Sequence, residues 1–169
     1  KWKFLGRMSS NFHSDYKTPN NQRVTNTRFK ENDFKLGLGY SSGSYSNEFR
    51  YNLNRAVLGF TEGINNQSTS TSPEYPYQKV DNQIFSLHNH FFFENSKLDV
   101  DLGYISNDRS ELEDSPTPVL HFKLKTFNYN SKYHLPKFKN GIESILGLQG
   151  MIQQNKNFGN EILIPNAKI

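Results

Sequence analysis

Val119–Phe158 reads VLHFKLKTFNYNSKYHLPKFKNGIESILGLQGMIQQNKNF, and the fold rests on how these side chains alternate. In the second half Ile142, Ser144, Leu146, Leu148, Gly150 and Ile152 share one parity. Glu143, Gln149 and Gln153 take the other, with Ile145, Gly147 and Met151 between them. In the first half Phe127, Tyr129, Ser131, Tyr133 and Leu135 alternate with Asn128, Asn130, Lys132 and His134, and the two runs meet at Pro136–Gly141. Successive side chains of a strand point to opposite faces, so this stretch predicts a β-hairpin with one apolar and one polar face. Each run is long enough to cross a bilayer, for which about 9–11 tilted residues suffice.

The same alternation extends towards the N-terminus. Strands are expected over Lys3–His13, from about Asn26 to Tyr40, over Tyr45–Val57 and over Val80–Phe93. A fifth alternates most clearly, with Leu98, Val100, Leu102 and Tyr104 set against Asp99, Asp101 and Gly103. With the hairpin this makes an all-β antiparallel meander of about seven long strands, a partial wall of a transmembrane β-barrel. Asp15–Gln22, Gly59–Lys79 and Arg109–Pro118 read as long connections, Ser41–Ser44 and Glu94–Ser96 as tight turns, and Asn157–Ile169 as the start of another long connection. All seven prolines fall in connections, as befits a residue that cannot donate to a ladder. The later connections alternate short and long, as the turns and loops of outer-membrane barrels do.

Composition narrows the class further. Only 34% of the residues are hydrophobic and the mean hydropathy is −0.79, low for a packed soluble core. No run of about 18 apolar residues is present, so no transmembrane helix is expected, a test that a β-barrel escapes because only alternate residues need be apolar. The 14 Phe, 9 Tyr and 1 Trp disfavour disorder and suit strands and interfacial girdles. The net charge of +4 is spread along every segment, so nucleic acid is not an expected partner. Cysteine is absent, which excludes disulfides and a thiol nucleophile. Lys1-Trp2-Lys3-Phe4 leads straight into a strand pattern rather than a signal peptide, so the chain reads as an internal segment, 1–169, of a larger barrel domain.

Charge placement supplies a test. Lysine or arginine facing lipid at mid-membrane costs about 2–4 kcal/mol. The apolar parity of the second, fifth and seventh strands carries no charge within the expected span, and Arg55 lies near the outer interface. The sixth strand breaks parity: Leu120, Phe122 and Leu124 are even, whereas the apolar set from Phe127 onward is odd. Either a bulge near Lys125 shifts the parity, or the residues before Thr126 project beyond the membrane. Seven strands do not close a barrel. A wall of about 22 strands would need on the order of 530 residues, and open edges are not tolerated in lipid.

The segments LKTFNYNSKYHLPKF, GLQGMIQQNKNFGNEILIPNA and VDNQIFSLHNHFFFENSKLDVDLGY resemble the barrel of a TonB-dependent outer-membrane receptor. The resemblance is densest from Val80 onward, and the family's plug domain and TonB-contacting box have no counterpart in the chain. It implies a Gram-negative outer-membrane location, with lipid and, through a plug, TonB as partners. It also implies energised import of a ferric siderophore, haem or a similar nutrient. Substrate contacts would lie on the long connections, where no single residue is singled out.

Local chemistry is sparse. His88 and His90 share one strand face, an i, i+2 pair able to chelate a metal if a neighbouring strand supplied more ligands; polar lining is the plainer reading, and no cofactor is expected. Asp108, Glu111, Glu113 and Asp114 read as solvated loop charge without calcium-loop spacing. Gly37 and Gly39 lie in no phosphate loop, since no lysine-serine pair and no helix follow; they would let another backbone approach the wall. No catalytic constellation emerges, so the chain is not expected to be an enzyme. The rival readings are a passive porin-like barrel and a soluble β-sandwich ligand-binding module whose aromatic face is buried between two sheets.

Overall fold

Alternation becomes a ladder in which every strand pairs with its sequence neighbour. The computed structural model describes residues 1–139 and 141–169. It forms one sheet in the order β1 (Trp2–His13), β2 (Phe29–Ser41), β3 (Tyr45–Gly59), β4 (Tyr77–Phe92), β5 (Lys97–Leu112), β6 (Leu120–His134), β7 (Ile145–Asn157) and β8 (Ala167–Lys168). All pairings are antiparallel, so the sheet is an all-β meander, and it is open because β1 and β8 are not neighbours. Among the described residues no helix is long and apolar enough to cross a membrane.

Several expectations are corrected. The seven long strands are present among the described residues, but the tail expected as an open connection turns back into a two-residue eighth strand that pairs Lys168 with Gln154 and Ala167 with Asn155. The second strand begins at Phe29 rather than near Asn26, since Asn26 takes a positive φ of 62° that interrupts extended backbone. The stretch Arg109–Leu112 is strand, not connection: Arg109, Ser110 and Glu111 pair with Phe122, His121 and Leu120, and Leu112 pairs with Tyr77. β7 begins at Ile145, so Ile142 and Ser144 precede it. The connections therefore span 14–28, 42–44, 60–76, 93–96, 113–119, 135–144 and 158–166. The short–long alternation holds as far as 113–119 and then fails, since 135–144 is longer than the connections on either side of it.

The parity break in β6 involves no bulge. Its ladder to β5 runs without interruption from Lys97↔His134 to Glu111↔Leu120. Leu120 and Phe122 are buried on the opposite face from Phe127. The side chain of Asn155, on that same face, donates to the carbonyls of Ile164 (2.8 Å) and Pro165 (3.1 Å), which brings the returning tail across it. The Glu161 and Phe158 amides also bond the Val119 and His121 carbonyls at 2.9 and 2.8 Å. Leu120 and Phe122 therefore change face because the tail gives them something to pack under. Among the described residues the other buried apolar side chains are Ala56 and Leu112. The sheet has no conventional core.

Candidate functional site

Directly opposed residues in a ladder share a face, so the registers divide the whole sheet into two surfaces. On one, a rank runs Phe4, Leu38, Phe49, Leu87, Leu102, Tyr129 and Gly150 from β1 to β7. The next runs Gly6, Leu36, Tyr51, Phe85, Tyr104, Phe127 and Ile152. Towards the end bearing connections 42–44, 93–96 and 135–144 (the turn end), two further ranks include Trp2, Tyr40, Val100 and Leu148, then Tyr45, Phe91, Leu98, Tyr133 and Leu146. None of the four ranks carries a charged side chain. At about 3.4 Å per residue they cover about 20 Å along the strands; the apolar belt of outer-membrane barrels is about 25 Å tall.

Aromatic rings line this belt. Trp2 lies 4.8 Å from Tyr40, Tyr45 5.0 Å from Phe91, Tyr51 4.6 Å from Phe85 and Phe85 6.2 Å from Tyr104, centroid to centroid. Tyr129 reclines over Gly150, where a Cβ would collide with its ring. The belt is uncovered: Phe4, Trp2 and Leu148 are 76, 75 and 67% exposed.

The other face is polar. His88 Nδ1 lies 2.8 Å from Asp101, and His90 Nδ1 and His134 Nε2 lie 2.6 and 2.9 Å from the two oxygens of Asp99. Lys97 also reaches Asp99 at 2.9 Å. Further along, Asn54 donates to Glu31 and Asp33, and Ser9 to Asp33. His88 and His90 thus sit on one face as expected, each engaged by its own carboxylate on β5. Among the described residues no group of three or more His, Asp or Glu is arranged to hold a metal ion. Gly37 and Gly39 also lie on this face, Gly37 against Leu5. The expected acidic loop cluster is divided. Asp108 and Glu111 belong to β5, where Asp108 pairs with His121 and Lys123, and Glu111 with Arg109. Glu113 and Asp114 remain in the connection.

The opposite end of the sheet, the loop end, carries a cap absent from the sequence reading. Connections 14–28 and 60–76 close on a buried pair, Arg28 and Asp15, 0 and 1% exposed. Arg28 Nη2 and Nε donate to the two Asp15 oxygens at 2.7 and 3.1 Å, the Arg28 amide adds a third bond at 3.1 Å, and Nη1 reaches Glu74 at 3.1 Å. Asn26 Nδ2 donates to the carbonyls of Glu74 and Pro76, and the Glu74 amide donates back. Burial alone would raise the Asp15 pKa. Hydrogen bonds from Arg28 and the Asn26 amide, with the guanidinium charge, outweigh it and hold the carboxyl below the usual carboxylate range. One signal pointed here: Arg28 stands on the parity of Leu36 and Leu38, where a lipid-facing strand would not place arginine.

Comparison with protein-family models, with curated proteins and with solved structures returned no match for this chain.

Proposed function

We propose that this sheet is a section of the wall of an outer-membrane β-barrel, part of an active transporter that imports a ferric siderophore, haem or a similar nutrient with TonB-derived energy. The membrane reading is carried by one observation: four consecutive ranks without a charge on one face, set against a face studded with His, Asp, Lys and Arg. Among the described residues all the strands lie in one sheet, which leaves the apolar face for another surface to cover. The transport reading draws on the likeness of Val80–Tyr104, Leu124–Phe138 and Gly147–Ala167 to TonB-dependent receptors and on the polar face available to line a passage. TonB acts through a plug domain in that family, and the loop end would present the connections to substrate.

Residues 1–169 contain no cysteine, which provides the test. Single spin-labelled cysteines over Leu98–Tyr104, in the full natural chain with any cysteine outside these residues replaced and reconstituted into vesicles, report accessibility to oxygen and to a polar nickel reagent. Even positions should favour oxygen and odd positions nickel, out of phase with period two. Uniform nickel accessibility at both parities would remove the membrane reading. The import reading is tested separately, by nutrient uptake with and without TonB; uptake independent of TonB points to a passive barrel.

A further inference from the structure

We infer that the loop end of the apolar face binds the phosphate-bearing headgroup of an anionic lipid, on Lys125, Lys156 and Lys168 with Lys123 beside them. The inference rests on the membrane reading above and adds a ligand to it.

The charges on the two faces differ in kind. Strand residues of the polar face carry seven Lys or Arg (3, 7, 35, 50, 97, 109, 132) and six carboxylates (31, 33, 48, 99, 101, 111), close to balance. Those of the apolar face carry seven cations (30, 55, 79, 123, 125, 156, 168) and two carboxylates (81, 108). All seven cations lie at the loop end and none at the turn end, so the excess sits beyond one edge of the belt only.

Both carboxylates are already engaged. Arg55 bonds Asp81 at 2.6 Å, and Lys123 bonds Asp108 at 2.8 Å. Lys123 is nonetheless placed directly opposite Lys156, and Gln154 alone separates Lys125 from Lys168 across the ladder. Like charges facing each other across strands are destabilising, and Lys125, Lys156 and Lys168 are exposed with no anionic partner among the described residues. Two strand spacings put Lys125 and Lys168 about 10 Å apart at the backbone, within reach of one phosphorylated headgroup given lysine's flexible stem. Immediately below lie Phe127 and Ile152, where the uncharged belt begins. An anion above and hydrocarbon below is the polarity of an anionic amphiphile, and a free phosphate would use only the upper half.

The experiment reconstitutes the full natural chain into nanodiscs of phosphatidylcholine, alone or mixed with phosphatidic acid, and counts retained lipids by native mass spectrometry. Preferential retention of phosphatidic acid is expected. Each lysine at an anionic surface contributes about a fivefold preference, so K125Q/K156Q/K168Q should lower that retention on the order of a hundredfold while inserting normally. K17Q/K137Q/K139Q, with the same loss of net charge, should retain phosphatidic acid as the parent does. Equal retention of the two lipids, or equal loss in both triple variants, overturns the headgroup site alone. Abolition by excess inorganic phosphate also overturns it, and assigns the lysines to a free anion. Failure of the parent to enter even phosphatidylcholine nanodiscs overturns the membrane reading, and the site with it.

Discussion

Arg28 and Asp15 show how much one buried pair decides. Both side chains are fully enclosed, so removing either leaves an uncompensated charge or an unsatisfied donor, which costs about 3–5 kcal/mol. Asp15→Asn is therefore expected to release connections 14–28 and 60–76 while leaving β5–β7 paired, and amide exchange resolved by segment checks it. Protection lost equally across the sheet would contradict a local cap. The pH dependence follows from sign. The folded pKa of Asp15 is depressed, so its stabilisation is complete above the ordinary carboxylate range and is lost as pH falls through the folded value. Loop protection, taken as exchange relative to the intrinsic amide rate at each pH, should fall on acidification in the parent, and this dependence should be absent in Asp15→Asn. Gly59→Ala should also disrupt the cap, because a Cβ there would run into the carbonyl and side chain of Asn26.

At the scale of the strand, the two faces should answer to the same substitution differently. Leu102→Lys places an ammonium in the middle of the belt and is expected to cost about 2–4 kcal/mol in folding from urea into lipid. Asn128→Lys, on the polar face of the neighbouring strand, should cost well under half of that. Equal penalties would mean that the belt does not face hydrocarbon. Gly150→Val tests a packing detail within the belt: it forces Tyr129 off its glycine, and a loss of about 1–3 kcal/mol is expected from overpacking. Gly150→Val in a Tyr129→Ala background should recover part of that loss. The strands of this wall were readable from period-two alternation, but their ends were not. Arg109, Ser110 and Glu111 looked like loop because they are polar, yet ladders to Val80–Gln78 on one side and Phe122–Leu120 on the other satisfy their backbone and make them strand.

For the whole molecule the decisive feature is an open sheet with an uncovered apolar face. The edges, β1 and the part of β7 that the two-residue β8 leaves unpaired, expose Trp2, Phe4, Met8, Leu146 and Ile152, and unpaired edges beside apolar surface template further association. Residues 1–169 alone are accordingly expected to aggregate in buffer and to disperse in detergent, as sedimentation would show. A detergent-free monomer of 19.6 kDa with protected strand amides would contradict the barrel reading. A stable detergent-free dimer would instead indicate that a second copy covers the belt.

Sequence by itself determined the strands, their alternation and the sorting of charge away from one face, because these depend only on the two-residue repeat of an extended chain. It also placed His88 and His90 on one face. It did not determine their partners: that Asp99 is shared by His90 and His134, and that His88 meets Asp101, follows from register between strands. Nor could it locate the Arg28–Asp15 cap, the returning tail that turns Leu120 and Phe122 to the other face, or the facing of Lys123 on Lys156. Each joins residues distant along the chain or on separate strands, and local periodicity contains nothing about which strand lies beside which, or at what offset. Tertiary structure decided those, because ladder hydrogen bonds and burial select a single register out of many that alternate equally well.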